Sequence, residues 1–326
     1  MAELNHNKTL SLRLEDHLRS LAVELNDSRY VSQAERVHYC STFWQGRWCP
    51  TCGKFHDMHT TGCKHRLCPI CVTRASRVTA MQAIEVVNYM RKNHPSISFS
   101  LLTLTQRNVA GPDLNNEVNK LLKGWGYLCN QRSVRNDIWG WAKTVEIVPA
   151  LRNDGMYHPH VHAILAHGDK CPSAAWFRDK WKAGLDLDYD PVCDLRPIVD
   201  EDAAVFEVSK YISKMSRIYD GTAREHEHIR YLAEATSARR LRSYGGEWRR
   251  ARQMLGQMNV EEMDADAISE YGEMVSAEGT CPKCGSETEQ AVLRWAGLRY
   301  VSMPHDMRVI SFPSSFVARK QAYPTT

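Results

Sequence analysis

Three groups of residues in this 326-residue chain carry chemistry by their type and spacing. In His160-Val161-His162 two imidazoles stand at i and i+2. On a strand that spacing turns both rings to one face and Val161 to the other, so two neutral nitrogens can share one divalent cation. Arg152-Asn153-Asp154-Gly155 is a hairpin turn signal, and folding the chain back about residue 153 sets Glu146 opposite His160. A carboxylate and two imidazoles on adjacent strands form an open site for magnesium or manganese, with coordination positions left for substrate oxygens.

The second group is the cysteines. Eleven of them, an odd number in a chain without a secretion signal, point to metal or free thiols and away from a disulfide framework. Three pairs share the pattern Cys-Pro-x-Cys: Cys49 with Cys52, Cys68 with Cys71, and Cys281 with Cys284. Such a turn presents two thiolates to one tetrahedral zinc ion at about 2.3 Å, and the proline stiffens it. Cys40, Cys63 and His65 are further candidate ligands. One arrangement is two four-cysteine sites, Cys40/Cys63/Cys68/Cys71 and Cys49/Cys52/Cys281/Cys284, the second tying the C-terminal region to the N-terminal module. The other is one ribbon from Cys49, Cys52, Cys68 and Cys71, so the sequence allows one or two zinc ions. Cys129, Cys171 and Cys193 are isolated.

The third group lies on a helical stretch, where Glu207 and Tyr211 are i, i+4 neighbours and Lys214 is i+3 from Tyr211. A phenol with an ordinary pKa near 10 is a poor nucleophile at neutral pH, so it needs an adjacent cation, Lys214 or the metal. Taken alone, without other motifs, the trio reads as an ordinary exposed helix face.

The elements that position these groups follow from the apolar pattern. Residues 1–35 read as a helical leader and 36–73 as a zinc-binding module. Val78, Met81, Ile84, Val87 and Met90 recur at helical spacing within Arg74 to Lys92. Ser96 to Thr105, Trp139 to Pro149 and His158 to His167 read as strands, and Tyr189 to Ile198 is strand-like. Helices are expected from Pro112 to about Asn130, over 173–186 and over 201–218. The fold class is α+β. Composition is near the globular average, and no apolar run approaches a membrane span or a secretory signal, which implies a cytoplasmic protein. Net charge is only +4, but Glu207 to Arg252 holds eleven basic and six acidic residues, and Met254 to Thr280 holds seven acidic and no basic ones. That asymmetry suggests either a basic face followed by an acidic segment or a solvated helix face beside a linker.

Four ordered blocks resemble the rolling-circle plasmid replication initiators of the HUH endonuclease superfamily, in the single-tyrosine group that terminates with a glutamate. They are CKHRLCPIC (Cys63 to Cys71), LLTLTQRNV (Leu101 to Val109), YHPHVHAIL (Tyr157 to Leu165) and EVSKYISK (Glu207 to Lys214). The resemblance implies a five-stranded antiparallel sheet with flanking helices over 74–218, preceded by the zinc module; the knuckles at Cys49/Cys52 and Cys281/Cys284 and all of 219–326 fall outside the pattern it carries over. It implies that His160, His162 and Glu146 hold Mg2+ or Mn2+ and that Tyr211 attacks the scissile phosphate, leaving a 5′-phosphotyrosine and a 3′-OH primer. Glu207 would then assist hydrolysis at termination, and Lys214 would steady the phenolate or the phosphate. The substrate would be origin DNA extruded as a hairpin or single strand. Arg217, Arg239, Arg240 and Arg242 would track its phosphates, and Trp125, Trp139, Trp141, Trp176 and Trp181 would be either core or base-stacking residues. No G-x-x-x-x-G-K-[ST] loop is present, so unwinding would fall to a host helicase and synthesis to a host DNA polymerase. Monomer and homodimer are both open. The competing functions are an HUH transposase of a mobile element and a non-catalytic zinc-containing DNA-binding regulator. The Glu207/Tyr211 spacing favours the replicon role.

Overall fold

The computed structural model describes residues 1–151, 155–199, 217–258 and 279–303. Two antiparallel sheets organise them. The larger sheet has the strand order β7-β3-β6-β5-β8, where β3 is Ser98–Thr105, β5 is Ile138–Pro149, β6 is Met156–His167, β7 is Cys193–Pro197 and β8 is Arg242–Gly245. This is the expected five-stranded antiparallel path, to which the two-residue β4 (Val109–Ala110) adds a sixth strand against β6. Four of the five strands are those read from sequence. The fifth, β8, comes from after residue 218 and has too few residues for an alternation signal.

Helices cover both faces of this sheet. On one face Val145, Ile147, Val161, Ala163, Leu165, Leu102 and Leu104 join the larger core. There they meet α4 (Gly111–Cys129), α6 (Ala174–Leu185) and α7 (Glu225–Thr236). Helix α4 buries Leu114, Val118, Leu121, Trp125 and Leu128, a stripe of spacing three and four. Helix α6 is capped by Ser173, whose hydroxyl accepts from the Trp176 N–H. A single-turn α5 (Arg132–Asp137) leads into β5. On the opposite face Phe99, Ala142, Ile164 and Ala166 pack with Trp248 and Ala251 of α8 (Gly246–Met254) and with Val86, Val87 and Met90 of α3 (Pro69–Asn93). Helix α3 starts five residues before the expected Arg74, because Pro69 suits the first helical turn, where its missing N–H is no loss. The docking of α8 onto β5 demands glycine: a Cβ on Gly140 would lie 2.5 Å from the Trp248 backbone nitrogen, and Gly246 has φ +55°.

The smaller sheet has the order β10-β9-β1-β2, from β1 (Phe43–Cys49), β2 (Lys54–His59), β9 (Glu289–Trp295) and β10 (Tyr300–Ser302). Residues Phe43 to Trp48 pair with Arg294 to Glu289, so the C-terminal segment closes on the N-terminal hairpin. The leader forms α1 (Ala2–Glu24) and α2 (Ser28–His38), and Leu10, Leu14, Leu18 and Leu21 of α1 share the larger core with Cys40, Cys63 and Cys68. Among the described residues no helix is long and apolar enough to cross a membrane.

Candidate functional site

Alternation along β5 and β6 carries the central cluster. Glu146 pairs with His160 and Thr144 with His162, as folding about residue 153 requires, so both rings and the carboxylate share the face that bears Ala142 and Ile164. Nearer the turn than the α3/α8 cover, Glu146 Oε2 lies 2.7 Å from His160 Nε2 and 3.3 Å from His162 Nε2. Glu146 and His160 are buried.

The ring tautomers follow from the outer contacts. His160 Nδ1 lies 3.1 Å from the His158 carbonyl, which can only accept, so the proton of the neutral ring is on Nδ1 and the Nε2 lone pair faces Glu146. His162 Nδ1 lies 3.0 Å from Thr103 Oγ1. Acceptors at such distances need a cation between them, a ring proton or a divalent ion. Ligands at about 2.1 Å and right angles stand about 3.0 Å apart, between the 2.7 and 3.3 Å that separate Glu146 Oε2 from the two Nε2 atoms, so the donor set fits Mg2+ or Mn2+. Thr103 is a positioning residue that the motif reading passed over. The alternation in LLTLT sets Thr103 and Thr105 on one face, opposite His162 and His160.

The cysteines form two clusters of four, Cys40/Cys63/Cys68/Cys71 and Cys49/Cys52/Cys281/Cys284, with ligand atoms within 4.8 Å of one another. The single ribbon of Cys49, Cys52, Cys68 and Cys71 is not formed, because β1/β9 pairing delivers Cys281 and Cys284 to the first knuckle. Sulfur separations are 3.7, 3.6 and 3.6 Å in the first cluster and 3.5 and 3.6 Å in the second. Four thiolates about 2.3 Å from a shared centre have edges of about 3.8 Å, so both clusters fit tetrahedral zinc. In the first, hydrogen bonds from Cys63, Cys68 and Cys71 hold the Cys40 thiol well below the ordinary range, while burial pushes Cys63 up. In the second, Ser286 draws Cys284 down to about 6. The buried Lys8 ammonium donates to the carbonyls of His38 and Cys40, which places a cation beside the first cluster. His65 is not among the gathered ligands: its Nε2 meets Gln33 Oε1 and its Nδ1 accepts from the Leu67 N–H.

The remaining candidates divide. Glu207, Tyr211 and Lys214 lie outside the described residues, and Arg217 directly follows that stretch. Arg240 is exposed, and Arg242 stands on β8 opposite Thr144. Arg239 donates to Asn115, Asn119 and the last carbonyls of α7, tying α7 to α4. Tyr219 is buried, and its hydroxyl donates to the Leu67 carbonyl. Trp125 and Trp181 are core residues, and Trp181 donates to the Thr105 carbonyl.

Comparison with known proteins decides the family. Residues 53–296, about three quarters of the chain, match the replication protein family Rep_1. The chain belongs to this family. The resemblance to plasmid rolling-circle replication initiators carried by the four blocks therefore holds, and the Rep_1 match also takes in much of 219–326, where no sequence block had pointed. A curated "Protein rep" of Bacillus amyloliquefaciens is 27% identical over 80% of this chain and 84% of its own length. Another, of a Bacillus species, is 27% identical over 71% and 83%. A third, of Streptococcus pneumoniae serotype 2, is 27% identical over 66% and 69%. No solved structure gives a significant match. As a Rep_1 initiator the protein acts on origin DNA, in a family of replication endonucleases.

Proposed function

We propose that this initiator nicks its origin by tyrosine transesterification at an HUH-type centre. The observation that carries the reading is the convergence of Glu146, His160 and His162 on adjacent strands of a replication protein. These three residues would hold Mg2+ or Mn2+, which when bound supplies positive charge to the scissile phosphate and its oxygens. Thr103 and the His158 carbonyl fix the rings so that both Nε2 lone pairs face the cation. Tyr211 Oη attacks phosphorus, the bond to O3′ breaks, and the leaving oxygen takes up a proton. The products are a 5′-phosphotyrosine and a 3′-OH that primes a host DNA polymerase. Lys214 steadies the phenolate, and Glu207 acts as general base on a water at termination, which releases the protein after one round. Two zinc ions, one in each cysteine cluster, would staple the fold, the second holding the C-terminal knuckle to the N-terminal one. A host helicase opens the duplex, and the protein works in the cytoplasm, where monomer and homodimer both suit a single-tyrosine reaction.

The test mixes purified protein and Mn2+ with single-stranded DNA from its own replicon and looks for a protein–DNA adduct on a denaturing gel. An adduct that disappears in Tyr211→Phe supports transesterification. Absence of an adduct from metal-loaded protein on origin DNA refutes it and leaves a zinc-containing DNA-binding regulator.

A further inference from the structure

The two cysteine clusters differ in their exposure to water. In the first, Cys40, Cys63 and Cys68 are buried and Cys71 is half-buried. Helix α1 touches this cluster, with Ser11 Oγ 3.6 Å from Cys68 Sγ and the Lys8 ammonium on the Cys40 carbonyl. In the second, Cys49 and Cys281 are buried and Cys52 is half-buried, but Cys284 is exposed. Cys49 Sγ stands 3.5 Å from Cys284 Sγ, and Cys52 Sγ stands 3.6 Å from Cys281 Sγ. Each of these contacts joins the N-terminal knuckle to the C-terminal one.

A thiolate at the surface with a second thiolate beside it is the target of water-soluble oxidants. Zinc, when bound, keeps the thiols of a cluster ionised. Cys284 then presents a charged sulfur to solvent, and Cys49 is in place to resolve its first oxidation product. The isolated cysteines do not compete. Burial pushes Cys129 up to about 12 and Cys171 and Cys193 up to about 11, so at neutral pH these three are thiols and not thiolates.

His56 decides which sulfur resolves. Its Nε2 lies 3.3 Å from Cys281 Sγ. A thiolate accepts and does not donate, so the ring nitrogen carries the proton and donates to the sulfur. A donor on a thiolate favours the charged form and lowers its nucleophilicity. Cys281 is thereby held back as a partner for Cys284, which leaves the reaction to Cys49.

We propose that the second cluster is a reversible oxidation site, at which peroxide converts Cys49 with Cys284, and Cys52 with Cys281, into two disulfides between the knuckles while the first cluster keeps its zinc. The Cys284 thiolate attacks one peroxide oxygen, the O–O bond breaks and hydroxide leaves, giving a sulfenic acid. The Cys49 thiolate then attacks the Cys284 sulfur, the S–O bond breaks and a second hydroxide leaves. Both hydroxides take up protons from the solvent, and two electrons have passed from the sulfur pair to one peroxide. Cys52 and Cys281 repeat the sequence with a second peroxide. With its thiolates consumed the cluster no longer holds an ion, and the bridges take over as the tie between the N-terminal and C-terminal knuckles, so β1 stays paired with β9. A dithiol reductant reverses the change. The inference rests on zinc occupancy of the second cluster and not on the nicking reading.

The test exposes full-length, zinc-loaded protein to hydrogen peroxide under native conditions. Released zinc is read with a chromophoric chelator, and disulfides are mapped by peptide mass spectrometry after alkylation of the remaining thiols. One of the two zinc ions per chain should be released. The bridges should be Cys49 to Cys284 and Cys52 to Cys281, with the circular dichroism spectrum unchanged, and dithiothreitol with added zinc should restore the starting state. Cys284→Ser, which retains only the first cluster's ion, should release none under the same exposure. His56→Phe should still bind two zinc ions and should move part of the first bridge to Cys281 with Cys284. Release of both ions together, or of neither, overturns the proposal, as does a wild-type map with bridges only inside the knuckles. A count of one zinc before peroxide overturns the occupancy on which the proposal rests. None of these measurements passes through nicking, so a failure here and a failure of the transesterification reading are separate results.

Discussion

Removing the Thr103 hydroxyl tests whether the outer contacts hold the metal centre together. Thr103→Val keeps the shape of the side chain and the β-branched fit to β3 but deletes the 3.0 Å partner of His162 Nδ1. A hydrogen bond of this kind is worth about 0.5–1.5 kcal/mol net, and the His162 side chain is only 15% exposed, so water replaces the lost partner poorly. The ring is then free to turn its Nε2 lone pair away from Glu146. The structure thus predicts about tenfold weaker Mn2+ binding, within the range of about 10–100-fold found when partners of metal-bound histidines are removed. Mn2+ titration followed by electron paramagnetic resonance reads this directly, with His162→Ala as the loss-of-site reference and unchanged zinc content as evidence of an intact fold. Thr103→Ser should restore most of the affinity. Wild-type Mn2+ affinity in Thr103→Val would refute the assignment of the hydroxyl as the group that orients His162.

Three further outcomes are expected. Metal analysis of purified protein should give two zinc ions per chain, and Cys284→Ser should lower the count to one, since the clusters share no ligand. Lys8→Met should cost about 1–3 kcal/mol in urea unfolding of zinc-loaded protein, because it leaves the His38 and Cys40 carbonyls without their buried donor. A change below about 0.5 kcal/mol would show that water reaches them. His228 is fully buried beside the Tyr157 hydroxyl, and burial holds its pKa below the ordinary imidazole value. Its neutral form is therefore favoured by folding, so its contribution is complete above the unfolded value of about pH 6.5 and is lost as pH falls from there through the lowered native pKa. Thermal melts across that range should show the decline flattened in His228→Gln.

Much of the chemistry was legible in the sequence because it depends on local periodicity. His160 and His162 share a face by the two-residue repeat of a strand, and the hairpin sets Glu146 against His160 by symmetry about its turn. The helical stripe of α4 and the knuckles of Cys-Pro-x-Cys are likewise contained in a few consecutive residues. Contacts between distant segments were beyond its reach. The choice between one cysteine ribbon and two clusters depended on β1 pairing with β9 across more than two hundred residues, a contact with no signal in either strand. The same holds for β8, four residues whose place at the edge of β5 is fixed by glycines where α8 approaches closely, and for Lys8 reaching the first cluster from the leader helix. Local pattern determined which residues could act as ligands. Tertiary packing decided which of them meet, because a short strand or a single buried lysine gains its energy only from the partner it finds.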